Sequence, residues 1–144
     1  MRKIYWAAPL HEQKDRERNA FYVQRLRDAG HQVYVPQEHG VWEEMLAQFN
    51  NDERAVREHL FKLDLQAMKE ADTCIACCGD AKDPREPSEG MLWEMGWMTA
   101  AHKNVFLFNE NGYWRFNLMP QFGSTQVFTN FNTLLEFLKG ESFK

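Results

Sequence analysis

Glu94 lies four residues after Gly90 in the run Pro87-Ser88-Glu89-Gly90-Met91-Leu92-Trp93-Glu94-Met95-Gly96, where a loop gives way to a helical pattern. Residues four apart share a helix face, and a glycine one turn below a carboxylate leaves room for a ligand over that face. A helix N-terminus favours negative charge, which helps keep Glu94 ionised, although the effect fades beyond the first turn. An ionised, ligand-facing glutamate is a nucleophile. The same spacing equally suits a solvated carboxylate, with Gly90 and Gly96 serving only helix–sheet packing. Ser88 holds the position of an N-cap. A hydroxyl there can also face an anion or a sugar hydroxyl. Asp64 stands between Leu63 and Leu65. A carboxyl beside apolar neighbours has a raised pKa and serves as an acid, unless it is an ordinary surface residue. Tyr5 falls in a short apolar run; it is either a core ring whose hydroxyl needs a partner or a ligand-facing group that holds a carboxylate in place.

Other chemistries find less support. Cys74, Cys77 and Cys78 crowd into an uncharged stretch with no second cysteine pair, so small buried hydrophobes are a better assignment than zinc ligands. The histidines His11, His31, His39, His59 and His102 are scattered. Neither Gly-x-Gly-x-x-Gly nor a P-loop is present. A phosphoreceiver domain would need an acidic pair after the first strand, where Ala7-Ala8-Pro9 stands instead. No metal or cofactor is expected.

These residues need a scaffold. An apolar run over Lys3 to Ala8 predicts a buried strand ended by Pro9, and 31–35 a second ended by Pro36. Between them Ala20, Phe21, Val23, Leu26 and Ala29 recur at near-helical spacing, and Gly30 fits the stop. Val41 to Phe49 suggests a short helix, and Glu53 to Ala71 a long one with Val56, Leu60, Leu63, Ala67 and Met68 on one face. Thr73 to Cys78 carries no charge, which fits a strand buried on both faces. A loop over 79–87, a helix over 88–102, a strand over 104–109, an irregular stretch over 110–124, a strand over 125–129 and a closing helix over 132–139 complete the chain. Alternating strand and helix argue a parallel sheet covered on both sides. The expected fold is flavodoxin-like α/β: a doubly wound five-stranded parallel sheet in the order 2-1-3-4-5, with ligands outside the carboxyl ends of the strands.

The 144 residues suit one domain, 1–144. Seventeen basic against twenty-one acidic side chains leave a net charge of −4, which argues against nucleic-acid backbone as a partner. A hydrophobic share of 44% with 26% charged residues reads as globular rather than disordered. No apolar run approaches the ~20 residues of a membrane span. The first residues, Met1 to Trp6, enter a strand pattern at once and lack a signal peptide's apolar stretch. Three clustered cysteines offer no disulfide framework, so a reducing cytoplasm is the expected compartment.

Taken together, five segments resemble the nucleoside 2-deoxyribosyltransferase family. Ile4-Tyr5-Trp6-Ala7-Ala8-Pro9-Leu10 resembles its first strand and tyrosine-bearing turn, and the run from Gly30 to Gln37 its second strand ending in Pro-Gln. Asp64-Leu65-Gln66-Ala67-Met68-Lys69-Glu70-Ala71-Asp72 resembles the family's Asp-Leu-x-x-Ile-x-x-x-Asp helix. The run from Glu89 to Gly96 resembles the Gly-x-x-x-Glu-x-Gly element that carries the nucleophile, and Phe116-Asn117-Leu118-Met119 the late Asn-Leu-Met segment. The matches fall in order over most of the chain. The resemblance implies that Glu94 attacks the anomeric carbon and carries a covalent glycosyl intermediate, that Tyr5 orients it, and that Asp64 handles the proton of the nucleobase. It implies Gln37 along the base pocket, beside the substrate-side Gly90 that the spacing to Glu94 already suggested, and Asn117 reaching the sugar hydroxyls from a neighbouring subunit of a dimer or larger homo-oligomer. Trp6, with Trp93 and Trp97, offers a flat wall for a base, although core packing explains these rings equally well.

The resemblance departs at one position. Transferases usually carry Asp six residues before the nucleophile, where this chain has Ser88. Serine there is similar to the related 2'-deoxynucleoside 5'-monophosphate N-hydrolases, in which it meets the 5'-phosphate. Those hydrolases tend to have a basic, Gly-rich turn after the first strand, where this chain has Ala8-Pro9-Leu10-His11-Glu12 before Lys14, Arg16 and Arg18. Arg85 near the loop suits either activity or neither. Transfer of 2-deoxyribose between bases is the leading expectation and hydrolysis of a (deoxy)nucleoside 5'-monophosphate the alternative. A non-catalytic nucleotide-binding module on the same scaffold is the third. The partners implied are a nucleoside or nucleotide and a free nucleobase.

Overall fold

Lys3–Ala7, Gln32–Tyr34, Thr73–Cys77, Asn104–Phe108 and Gln126–Phe128 form strands β1 to β5 of the computed structural model, which describes residues 1–79, 88–111 and 117–140. Most of the expected loop, with Arg85 and Pro87, and Phe116 of the late segment lie outside the described residues. Every pairing is parallel and the order is β2-β1-β3-β4-β5, as the alternation of elements implied. β3, buried along its whole length, sits at the centre, where both its faces are covered.

Among the described residues six helices wrap this sheet: α1 Gln13–Asp28, α2 Trp42–Gln48, α3 Glu53–Glu70, α4 Glu89–Ala100, α5 Leu118–Gly123 and α6 Phe131–Gly140. Their ends follow local chemistry. Asp52 caps α3 by accepting from the Ala55 amide at 3.1 Å. At the other end of α3, Lys103 Nζ donates to the Met68 and Lys69 carbonyls at 2.9 and 2.6 Å, and also to that of Ala71, placing a cation at the negative end of the helix. After α1 the chain reverses at Gly30, whose φ of +95° a side chain would strain. A 3-10 turn over Pro36–Glu38 follows β2.

The sheet separates two cores. On one face, Ile4, Trp6, Ile75, Phe106 and Phe108 pack with Val23 and Leu26 of α1 and Phe131, Leu134 and Leu138 of α6. On the other, Tyr5, Ala7, Cys74, Ala76 and Leu107 pack with Ala67 and Met68 of α3 and Met91, Met95 and Met98 of α4. Successive strand residues point to opposite faces. Tyr5 therefore looks toward α3 and α4, while Trp6 looks toward α1. This corrects the expectation that Trp6 lines a substrate pocket: it is 1% exposed, and its Nε1–H donates to Asn19 Oδ1 at 3.0 Å. A second correction falls on the stretch expected to be irregular, where Leu118–Gly123 forms the short helix α5. Among the described residues no helix is long and apolar enough to cross a membrane.

Candidate active site

A cavity of about 450 Å³ opens beyond the carboxyl ends of β1 and β2. Ala8, Leu10 and His11 line it from the turn after β1, and Pro36 from the turn after β2. Phe61, Asp64 and Met68 of α3 form one wall; Ser88 with Gly90, Met91, Trp93 and Glu94 of α4 forms the other. Phe61 and Trp93 meet edge to face at 5.7 Å between ring centroids. The helical spacing of Gly90 and Glu94 sets both on the cavity side of α4.

Two carboxyls face this space, each held by a tyrosine. Tyr5 O–H donates to Glu94 Oε2, and Tyr34 O–H donates to Asp64 Oδ1 at 2.9 Å. Burial pushes Glu94 up to about 7, against the Tyr5 hydrogen bond, which favours the ionised form; the nearby Asp64 charge adds to the rise. Burial thus outweighs the helix N-terminus that the sequence suggested would keep Glu94 ionised. Asp64 is also raised, chiefly by burial, while the Tyr34 hydrogen bond and nearby His39 pull it down. Burial first, and then the facing carboxylates, push both tyrosine hydroxyls well above their ordinary range, so each remains a donor throughout neutral pH.

Ser88 occupies the N-cap position of α4, but its side chain makes no capping hydrogen bond and instead lines the cavity. Gln37 does not line it. Its Nε2 donates to the Arg16 carbonyl at 2.8 Å and its Oε1 accepts from Asn19 Nδ2 at 2.9 Å, so its amide is spent on α1. Asn117 caps α5, accepting from the Met119 amide at 3.0 Å, and lines a different hollow of about 590 Å³ between α4 and α5. Within one chain, then, Tyr5, Asp64, Ser88, Gly90 and Glu94 come together, whereas Trp6, Gln37 and Asn117 do not join them. The three cysteines are buried, with Cys74 pushed up and Cys77 and Cys78 each raised to about 12 by burial, which leaves them as thiols.

Sequence reasoning missed Tyr34. Its register with Tyr5 across β1 and β2 is the signal that could have found it, since parallel strands in that pairing aim the two rings the same way. It missed His39 and Phe61 as well, the first stacked on Tyr34 at 4.1 Å and 6° and the second in the cavity wall.

Comparison with known proteins returns one family model, nucleoside 2-deoxyribosyltransferase, matching residues 4–125. Among solved structures, the 2-deoxyribosyltransferase of the psychrotolerant bacterium Bacillus psychrosaccharolyticus is 28% identical, with a TM-score of 0.75 over 97% of this chain and 92% of that one. A conserved protein of Enterococcus faecalis V583 is 22% identical, with a TM-score of 0.74 over 96% and 98%. The CMP N-glycosidase of Clostridium botulinum is 19% identical, with a TM-score of 0.59 over 94% and 97%. The last two likenesses are of fold. A search of curated protein sequences finds no match.

Proposed function

The chain belongs to the nucleoside 2-deoxyribosyltransferase family, and from that premise we propose that it cleaves the N-glycosidic bond of a deoxynucleoside and passes the 2-deoxyribosyl group to a second nucleobase by way of a covalent ester on Glu94. The observation that carries this is the pair of tyrosine-held carboxyls, Glu94 and Asp64, facing one cavity from α4 and α3. An ionised Glu94 oxygen forms a bond to C1' as the C1'–N bond breaks. The bonding pair leaves with the base nitrogen, and Asp64 supplies the proton that makes the base a better leaving group. In the second half an acceptor base attacks C1', the ester C–O bond returns its pair to Glu94, and Asp64 takes the acceptor's proton. Two displacements at one carbon give net retention, as in two-carboxyl glycosidases.

Ser88 favours a second activity, hydrolysis of a (deoxy)nucleoside 5'-monophosphate, because its hydroxyl lines the cavity without capping α4. One experiment separates the two. Plain and 5'-phosphorylated deoxynucleosides are each incubated with and without a second free base, and the products are resolved chromatographically. Transfer predicts an exchanged nucleoside that appears only with the acceptor. Hydrolysis predicts 2-deoxyribose from the plain substrate and 2-deoxyribose 5-phosphate from the phosphorylated one at a rate indifferent to the acceptor, a strong preference for the phosphorylated substrate, and loss of that preference in Ser88→Ala. A folded wild type that turns over neither substrate would leave only the binding-module alternative.

The assembly proposed is a homo-oligomer in which Asn117 completes the sugar site of a neighbouring copy. It is supported by the position of Asn117 away from the cavity of its own chain and by the exposed apolar side chains Leu118, Met119 and Phe122 beside it.

A further inference from the structure

We propose that Tyr34 is a positioning residue for Asp64, the counterpart on β2 of what Tyr5 is for Glu94 on β1, and that it aims the carboxyl that protonates the departing base. This rests on the glycosyl-transfer chemistry proposed above and assigns a further residue to it. Three independent pieces of geometry carry it. Tyr5 and Tyr34 are register partners on adjacent parallel strands, so both rings leave the sheet on the same face. Their rings stack, with centroids 5.6 Å apart and planes 14° from parallel, and the Tyr34 ring also stacks on the His39 imidazole at 4.1 Å and 6°. From within this stack the Tyr34 O–H donates to Asp64 Oδ1 at 2.9 Å.

A carboxyl at a helix surface rotates about its terminal bond with two broad wells. A donor fixed on Oδ1 selects one of them and leaves Oδ2 as the oxygen that holds the transferable proton. The donor's own ring has little freedom, because stacking against Tyr5 and His39 restrains it from two residues. When the proton passes from Asp64 to the base nitrogen, the carboxylate that remains accepts a stronger bond from Tyr34 than the neutral acid did. Proton transfer and ring position are thereby linked, and the nucleophile's holder and the acid's holder form one rigid pair. The titratable groups facing Asp64 are Tyr34 from β2, His39 from the turn after it and Glu94 from α4, with Tyr5 beside them on β1 and His11 on the same cavity.

The test uses leaving groups that do or do not need a proton. Tyr34→Phe keeps the stacked ring and removes only the donor. The full chain, as wild type, Tyr34→Phe and Tyr5→Phe, is assayed on 2'-deoxyguanosine against its N7-methyl cation, and on 2'-deoxyuridine against its 5-nitro derivative. The first member of each pair departs poorly unless protonated, and the second departs without help. Tyr34→Phe is expected to lower kcat about tenfold or more on the unactivated member and by less than about threefold on the activated one. Tyr5→Phe, which disturbs the nucleophile, lowers both members alike. The pH–rate limb belonging to Asp64 moves to higher pH in Tyr34→Phe, since a bond that favours the ionised form is gone. Equal losses on both members, or no loss on either, overturn the assignment. A wild type inactive on all four substrates, by contrast, contradicts the transfer chemistry itself.

Discussion

A carboxyl pushed up to about 7 is half ionised at neutral pH, and Glu94 is such a group. Its protonated form is favoured by burial in the folded chain, whereas in the unfolded chain it ionises near the ordinary glutamate value of about 4.3. Between those two values the native state holds a proton that the unfolded state has lost. Stability is therefore full at and below the unfolded value and falls as pH rises toward 7. The loss from this one group is on the order of 4 kcal/mol at most. Asp64, raised for the same reason, adds in the same direction. Glu94→Gln removes the titration while keeping a group that can accept from Tyr5. Urea unfolding at pH 5 and pH 8 is expected to show wild type weaker at pH 8 by about 2 kcal/mol or more, with the difference largely removed in Glu94→Gln. Equal pH slopes in the two proteins would mean that Glu94 is not buried as the cavity wall requires. On the proposed mechanism the same variant leaves no nucleophile, and transfer should drop by at least about a thousandfold.

The turns that line the cavity are tied to α1 at two residues, Arg16, which donates to the Leu10 and His11 carbonyls at 3.0 and 2.8 Å and accepts from Gln37, and Asn19. Asn19 on α1, 1% exposed, accepts from Trp6 Nε1 at 3.0 Å and donates both to the Pro9 carbonyl and to Gln37 Oε1 at 2.9 Å. It ties the turn after β1 and the turn after β2 to the same point. Asn19→Leu keeps the bulk but strands the Trp6 N–H and the Pro9 carbonyl without partners, at about 1–3 kcal/mol each. A lowered urea midpoint with an unchanged slope is the expected result, together with a raised KM, because the turn after β1 loses its tie at Pro9, next to the cavity-lining Ala8 and Leu10, and keeps only the Arg16 bonds to Leu10 and His11. A KM equal to wild type would detach this network from the site. At this scale much was legible in the chain itself. Apolar runs and helical periodicity located the five strands, the five longer helices and the parallel order. They failed on α5, a six-residue helix with Pro120 inside it and its Leu118, Met119 and Phe122 exposed, which therefore carries no core-facing period. They also failed on Trp6, since an all-apolar strand does not disclose which alternate residues face the ligand, and on Gln37, whose amide contacts depend on how α1 crosses the sheet. Tyr34 and Asp64 are thirty residues apart in sequence, and only the pairing of β1 with β2 and the packing of α3 brings them together.

The chain as a whole ends its cavity on one side of α4 and exposes apolar surface on the other. Leu118, Met119 and Phe122 are 63, 72 and 80% exposed, next to the hollow that holds Asn117. Contiguous apolar patches of this kind mark association surfaces. If a second copy covers this one about a two-fold axis, each chain contacts its partner through the same residues, and whatever α5 lends to the partner's sugar site it receives back at its own. That symmetry makes a complementation experiment decisive. In the proposed assembly Glu94→Gln lacks the nucleophile and Asn117→Ala lacks the lent side chain, so each homo-oligomer would be impaired at every site. In a mixed dimer the Glu94→Gln chain lends its intact Asn117 to the Asn117→Ala chain, whose Glu94 is also intact, and one complete site results. Random mixing of equal amounts with free exchange makes half the dimers mixed, with one good site in two, so about a quarter of wild-type activity should return. Phe122→Glu, which places a charge on the patch, should shift the sedimenting species to monomer and abolish the recovery. Activity that stays at the sum of the two separate variants after verified exchange would show that Asn117 serves no neighbouring cavity, and the apolar face would then need another occupant.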